Sequence, residues 1–127
     1  MLNKIWFWAA VFWTVFVAVI CLITVPDLPE VGVDSADKYV HASVHFIFSI
    51  VWALHFRSRG KWSLQYLLIA VFIMSLVFGV LIEIAQNFLT DTRTADVRDI
   101  AANCAGALLA IITILLYDRM RSKTMTI

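Results

Sequence analysis

The chain has 127 residues, of which 62% are hydrophobic and 15% are charged, and its formal net charge is +1. A soluble domain of this length leaves much of its surface in water and cannot hide so much apolar surface. The nearly balanced charge gives no support to nucleic-acid binding. The composition therefore predicts an integral membrane protein whose surroundings are a lipid bilayer.

Four hydrophobic segments follow one another along the chain. The first, residues 5–25, is an uncharged run, and about 20 apolar residues are enough to cross a hydrocarbon core of about 30 Å. Pro26 and Pro29 end it because proline cannot continue the helical hydrogen-bond ladder. Neither a strand pattern nor an internal repeat appears, so we predict one all-α domain over residues 1–127, a bundle of four transmembrane helices. The other three predicted helices cover residues 38–56, 66–88 and 100–117.

The charges of the loops predict how the bundle is oriented. Lys4, the loop 57–61 and the tail 119–123 carry an excess of basic residues. The first loop, residues 26–37, contains four acidic residues and no basic one. Because short basic loops stay on the cytoplasmic side, we predict that both termini are cytoplasmic, N-in and C-in. The second helix then begins, the third ends and the fourth begins at the outer face.

Polar residues are concentrated at that outer end, and the fourth helix shows this most clearly. With 100° of rotation per residue, one face of this helix, about 80° wide, carries two carboxylates, a carboxamide and two small residues. The inner half of the bundle is predicted to be almost free of polar residues. The residues on this face are Asp96, Asp99, Asn103, Gly106 and Ala110.

The third helix presents a similar face about 80° wide, which holds Ser75, Gly79, Glu83, Gln86 and Thr90. Glu83 lies roughly 7–8 Å inside the outer end of that helix. An intramembrane carboxylate costs a few kcal/mol at the bilayer centre unless it is paired or protonated. Glu83 should therefore face protein or trapped water. The basic or titratable partners available to it are Lys38, His41, His45, Arg93 and Arg98.

On the second helix, Asp37, His41 and His45 follow i, i+4, i+8 spacing and share one face. Two imidazoles at i, i+4 can bind one metal ion, and Glu83 with Asp99 could complete a hydrolytic site. The helix lacks the HExxH pattern, however, and a histidine that is hydrogen-bonded to a carboxylate is the commoner arrangement. We therefore predict no bound metal and no cofactor.

Three roles are open to this set of polar residues. It could be a ligand-binding pocket, a membrane-embedded hydrolase in which Glu83, Asp99 and His41 perform acid–base chemistry, or a network that only holds helices together. Holding helices together needs one or two polar groups, so a set of about ten favours a pocket. Gly79, Gly106 and Ala110 are predicted to let helices approach closely. The predicted functional residues are Asp37, Lys38, His41, His45, Glu83, Gln86, Arg93, Asp96, Asp99 and Asn103.

Three motifs follow one another along the chain: Asp37-Lys38-x-x-His41, Glu83-x-x-Gln86 and Arg93-x-x-Asp96-x-x-Asp99-x-x-x-Asn103-x-x-Gly106. Together they resemble the VanZ-like membrane protein family. That family consists of small bacterial integral membrane proteins and is named for a protein associated with resistance to the glycopeptide teicoplanin. The resemblance implies a multi-pass protein of the bacterial plasma (inner) membrane. His45 stands where the family often has tyrosine, and Ala110 where a second glycine is frequent.

From the residues and the resemblance together we predict a polar pocket that opens to the outer face of the membrane. Its ligand is expected to be a lipid-linked or other cell-wall precursor, and glycopeptide resistance is the expected cellular effect. No path of polar residues continues through the predicted inner half, which disfavours a transporter.

The predicted topology can be tested with reporter fusions. Fusions placed after residue 60 and after residue 123 should both report a cytoplasmic location, and a fusion after residue 32 should report an external one, because the basic loops stay inside. A C-terminal fusion that reports an external location would contradict the orientation.

Overall fold

The structure is a computed structural model that describes residues 2–22, 34–89 and 96–124. These residues form four α-helices, and each is long and apolar enough to cross a membrane. The prediction of an all-α chain with four potential membrane-spanning helices is confirmed. The helices are α1 (Leu2–Leu22), α2 (Asp34–Ser58), α3 (Leu64–Leu89) and α4 (Val97–Thr124).

The helices extend beyond the apolar segments that predict them. α2 continues to Ser58 and includes Arg57, and α4 begins at Val97 and continues to Thr124. Hydropathy marks only the part of a helix that lies in hydrocarbon, whereas arginine and lysine are good helix formers that continue it into the headgroup region. Residues 23–25, predicted as the end of the first helix, lie outside the described residues.

α2 is the central helix of the bundle. It packs against all three other helices, and its most extensive interface is with α4. Two tryptophans attach α1 to it: Trp13 Nε1 donates to the Val44 carbonyl oxygen at 3.0 Å, and Trp52 Nε1 donates to Thr14 Oγ1 at 3.2 Å. Interhelical hydrogen bonds of this kind stabilise membrane bundles modestly, by about 0.6 kcal/mol each on average.

The α2–α4 interface requires a residue without a side chain at position 106. A Cβ atom built on Gly106 would lie 2.0 Å from the carbonyl oxygen of Ala42. The backbones of the two helices are therefore in direct contact at this point, as small residues permit in membrane bundles. Ala110, one turn further along α4, is fully buried.

The two ends of the bundle differ in character. We call them the His41 end, where α1 and α3 end and α2 and α4 begin, and the Arg57 end, opposite. The Arg57 end holds an ion pair between Arg57 and Asp118, which joins α2 to α4. Large apolar side chains on all four helices are exposed and suited to face lipid. The apolar core lies toward the Arg57 end and consists of Ala53, Leu67, Leu68 and Val71.

Buried polar residues are concentrated toward the His41 end, but the prediction that the other half is almost free of them was incomplete. His55 is only 3% exposed and lies among the aromatic rings of Phe7, Trp52 and Phe56. His55 follows His41 by 14 residues, so it lies within about 40° of His41 around α2 but roughly 21 Å further along the helix, away from the cluster.

We expect Gly106→Ala to lower the thermal stability of the detergent-solubilised protein. The added methyl group must separate the backbones of α2 and α4, and overpacking of this kind costs about 1–3 kcal/mol. Ala105→Leu is the matched control, because residue 105 is the exposed neighbour of Gly106. Melting temperatures measured side by side should fall clearly only for the glycine variant; equal losses would show that the close approach is unimportant.

Candidate functional site

His41 lies at the centre of a buried polar cluster between α2 and α4. The residue is 4% exposed, and its Nδ1 is 3.2 Å from Asn103 Oδ1. Its Nε2 is 3.6 Å from Asp99 Oδ2 and 4.0 Å from Asp37 Oδ1. Asp37 precedes His41 by one turn of α2, and Asp99 precedes Asn103 by one turn of α4. The two helical faces that the sequence identifies therefore meet at this imidazole.

The contact with Asn103 determines which ring nitrogen of His41 carries hydrogen. With the Asn103 carboxamide in this orientation, Oδ1 accepts the hydrogen bond and His41 Nδ1 donates it. In a neutral imidazole the lone pair then lies on Nε2, which faces the two carboxylates of Asp37 and Asp99. Three acceptors that face one another repel unless a positive charge lies between them. This position therefore needs a proton or another cation.

Glu83 lies at the same end of the bundle and is only 2% exposed. Its Oε2 accepts a hydrogen bond at 3.0 Å from the backbone N–H of Asp96, which directly precedes α4. A negative charge is favourable there because the N-terminus of a helix carries a partial positive charge. The carboxylate also interacts electrostatically with Asp99 and His41. Its Oε1 is buried and has no hydrogen-bond partner among the described residues. Among the described residues, Glu83 thus offers an acceptor without a partner beside the His41 cluster.

Asn103 offers a matching free donor. The residue is 1% exposed, and its Nδ2 has no hydrogen-bond partner in the described part of the chain. A Cβ atom on Gly79 would lie 2.7 Å from Nδ2 and 3.2 Å from His45 Cε1. The glycine therefore leaves the space that the carboxamide occupies between α3 and α4.

His45 belongs to the core between α2 and α3. Its Nδ1 shares a hydrogen bond of 2.8 Å with Ser75 Oγ, and its ring lies 5.9 Å from Phe48 and 5.8 Å from Phe78, centroid to centroid. His45 therefore does not lie beside His41 in the metal site that was considered from the sequence. Instead, one ligand atom each from Asp37, His41 and Asp99 all lie within 4.8 Å of one another.

Two of the predicted functional residues, Asp96 and Gln86, make hydrogen bonds that stabilise the helices. Asp96 is the N-cap of α4, because its Oδ1 accepts the backbone N–H of Arg98 at 2.8 Å. Gln86 Nε2 donates to the carbonyl oxygen of Cys21 at 3.0 Å and so attaches α3 to α1. Helical periodicity placed both on the polar faces but does not distinguish a capping or bridging role from a binding role.

The remaining predicted residues lie at the edge of the cluster. Lys38 is partly exposed and interacts electrostatically with Asp99. The side chain of Asp37 is 48% exposed, so it forms the rim of the site. Arg93 lies outside the described residues.

A groove of about 90 Å³ between α1 and α2 leads to the cluster. Its walls are Ile20, Cys21, Val40 and Val44, and its polar residues are Asp37 and His41. A larger, apolar groove of about 230 Å³ lies at the Arg57 end, against Arg57 and Tyr117. We regard the smaller groove as the approach to the site, because Asp37 and the buried His41 line it.

Comparison with known proteins identifies the family of this chain. A model of the VanZ/LLP1 family matches residues 2–118, which include all the described residues of the cluster. The chain belongs to the VanZ/LLP1 family. The resemblance to VanZ-like proteins is thereby confirmed, and with four helices able to span a membrane this VanZ/LLP1 chain is a multi-pass membrane protein.

An uncharacterized protein of Schizosaccharomyces pombe is similar to this VanZ/LLP1 chain, at 35% identity over 95 residues. The match covers 73% of this chain and 55% of that protein, so the chain spans about half the length of this curated relative. No solved structure matches the chain. The relative is fungal, which shows that similarity to this chain is not confined to bacteria.

The contact between Gly79 and Asn103 can be tested in the VanZ/LLP1 chain by a double-mutant cycle. Gly79→Ala should cost about 1–3 kcal/mol because the new methyl group displaces the Asn103 carboxamide. In an Asn103→Ala background, which removes Nδ2, the same change should cost clearly less. Stability in detergent measures both costs, and strictly additive losses would contradict the contact.

Proposed function

We propose that this VanZ/LLP1 chain binds the polar headgroup of a lipid-linked cell-envelope molecule at its His41 end. One observation carries the proposal. A buried polar cluster of three helices keeps an acceptor, Glu83 Oε1, and a donor, Asn103 Nδ2, without partners among the described residues. An acceptor and a donor at one site suit the hydroxyl and amide groups of a sugar headgroup.

The free atoms favour a binding site over a purely structural network. A buried polar atom without a partner costs about 1–3 kcal/mol, whereas an interhelical hydrogen bond in a membrane contributes about 0.6 kcal/mol on average. A cluster that only joins helices would be more stable with Glu83 and Asn103 satisfied. Ser49 Oγ and His55 Nδ1 are also buried without partners among the described residues. What distinguishes Glu83 and Asn103 is that both lie beside the charged groups around His41.

The groove beside the cluster fits an amphiphilic ligand. Val40 and Ile20 are 54% and 40% exposed, so their side of the groove is open to the lipid phase. Asp37 and His41 lie at its polar end. A lipid tail would follow the apolar walls while its headgroup reaches the buried polar atoms.

We further propose that the His41 end faces the outside of the plasma membrane, with both termini cytoplasmic. The proposal rests on the basic residues near the Arg57 end and the acidic loop before α2. The cellular effect that the family's namesake suggests is altered sensitivity to teicoplanin. The fungal relative favours a ligand class that bacteria and fungi share, such as lipid-linked sugars, over a component unique to bacterial walls.

A membrane-embedded hydrolase is the second candidate, and Glu83 is the reason for it. A carboxylate with a free oxygen, beside a histidine that faces two further carboxylates, is an arrangement that can transfer protons to and from a substrate. Cleavage of a polyprenyl-diphosphate-linked sugar by the purified protein would favour this candidate over binding alone.

The proposed function predicts the behaviour of two isosteric variants. Glu83→Gln and Asp99→Asn keep the shape of the site but remove its charges, so both should insert and melt close to the parent. Both should lose at least about tenfold in affinity for a polyprenyl-diphosphate-linked disaccharide, since a hydrogen bond to a charged group is worth about 1.5–3 kcal/mol. Both should also lose the effect on teicoplanin sensitivity.

Asp118→Asn is the matched control for these variants. It removes a carboxylate from the Arg57 end and should leave both readouts near the parent values. Full activity in Glu83→Gln and Asp99→Asn, or losses that only follow lowered melting temperatures, would favour a structural or assembly role.

A further inference from the structure

The imidazole of His41 and the two carboxylates that face it indicate a bound species that the proposed function does not include. In contrast to the sequence-based prediction of no bound metal, we propose that Asp37, His41 and Asp99 bind a divalent transition-metal ion such as Mn²⁺ or Zn²⁺. One ligand atom from each residue lies within 4.8 Å of the other two. One imidazole and two carboxylates form a donor set of intermediate hardness, which suits these ions.

The hydrogen bond from His41 to Asn103 prepares the imidazole for a metal. A histidine that binds a metal donates its other ring N–H to a protein acceptor, which fixes the tautomer and the orientation of the ring. His41 has this arrangement, with Nδ1 donating to Asn103 Oδ1 and Nε2 directed toward Asp99 and Asp37. A bound cation would attract Nε2 and the two carboxylates, which otherwise repel one another.

The three ligand atoms lie within 4.8 Å of one another and must move closer by up to roughly 1.3–1.8 Å to bind one ion. Tetrahedral or octahedral sites with bonds of about 2.1 Å place neighbouring ligand atoms roughly 3.0–3.5 Å apart. The separation between His41 Nε2 and Asp99 Oδ2 is 3.6 Å, and that between His41 Nε2 and Asp37 Oδ1 is 4.0 Å. The side chain of Asp37 is half-exposed and can move inward without disturbing the core.

Glu83 gives independent support for a cation. Its Oε1 is buried without a partner among the described residues, and its carboxylate interacts electrostatically with Asp99 and His41. A third carboxylate beside Asp37 and Asp99 makes the local charge negative, although Lys38 offsets part of it. A divalent ion would neutralise this charge, and Glu83 would stabilise the ion at longer range.

The ion has a route to the site and free coordination positions. The groove between α1 and α2 reaches Asp37 and His41 from the lipid side, and the exposed carboxylate of Asp37 is open to the aqueous face. Three protein ligands leave one to three positions for water or a ligand oxygen. If the proposed function holds, the phosphate of a lipid-linked ligand could occupy these positions.

The experiment uses the full chain, purified without a histidine tag, stripped with a chelator and titrated with MnCl₂ or ZnCl₂ alone. We expect about one ion per chain and a rise in melting temperature of at least about 3 °C at saturating metal. Asp37→Asn should weaken binding at least about tenfold, and His41→Gln should abolish it. Asp37→Asn alters an exposed side chain, so it should fold even if His41→Gln does not.

His55→Gln is the control, because His55 is a buried histidine of the same helix that lies at the Arg57 end. It should keep the metal response of the parent. Absence of binding to the parent, or equal binding to Asp37→Asn and the parent, would overturn the inference. Lipid binding that persists in the chelated protein would leave the proposed function standing, and metal binding without lipid binding would leave only the metal site.

Discussion

The close approach of α2 and α4 at Gly106 is the constraint on which the rest of the site depends. Gly106 lies against the backbone of Ala42, and Ala42 directly follows His41. Asn103 is one turn before Gly106 on the same face of α4. The backbone contact therefore brings Asn103 and Asp99 within reach of the imidazole. A larger side chain at position 106 would separate these helices and with them the two halves of the site.

The bundle combines a well-packed end with an end that is rich in polar groups. Within a bilayer, helices associate mainly through close packing, because lipid is as apolar as the side chains. The cluster of Ala53, Leu67 and Val71 supplies such packing away from the site. The His41 end can then retain Glu83 Oε1 and Asn103 Nδ2 without hydrogen-bond partners among the described residues, an arrangement that folding alone would not favour.

Hydropathy and helical periodicity predicted much of this architecture but not the pairing of side chains. Apolar length was enough to predict the four helices, and rotation per residue placed Asp99 and Asn103 on one face. Periodicity assigns a residue to a face of its own helix and does not identify the neighbour across the interface. For this reason His45, one turn after His41, was expected beside it, yet it bonds to Ser75 on α3.

We propose above all that the His41 end binds something other than protein. An experimental map of the protein in lipid nanodiscs tests this most directly. The account predicts density beyond water between His41 Nε2 and the carboxylates of Asp37 and Asp99, continuing toward Glu83 Oε1. A map in which Glu83 Oε1 and Asn103 Nδ2 are satisfied by other protein groups, with only water nearby, would contradict it.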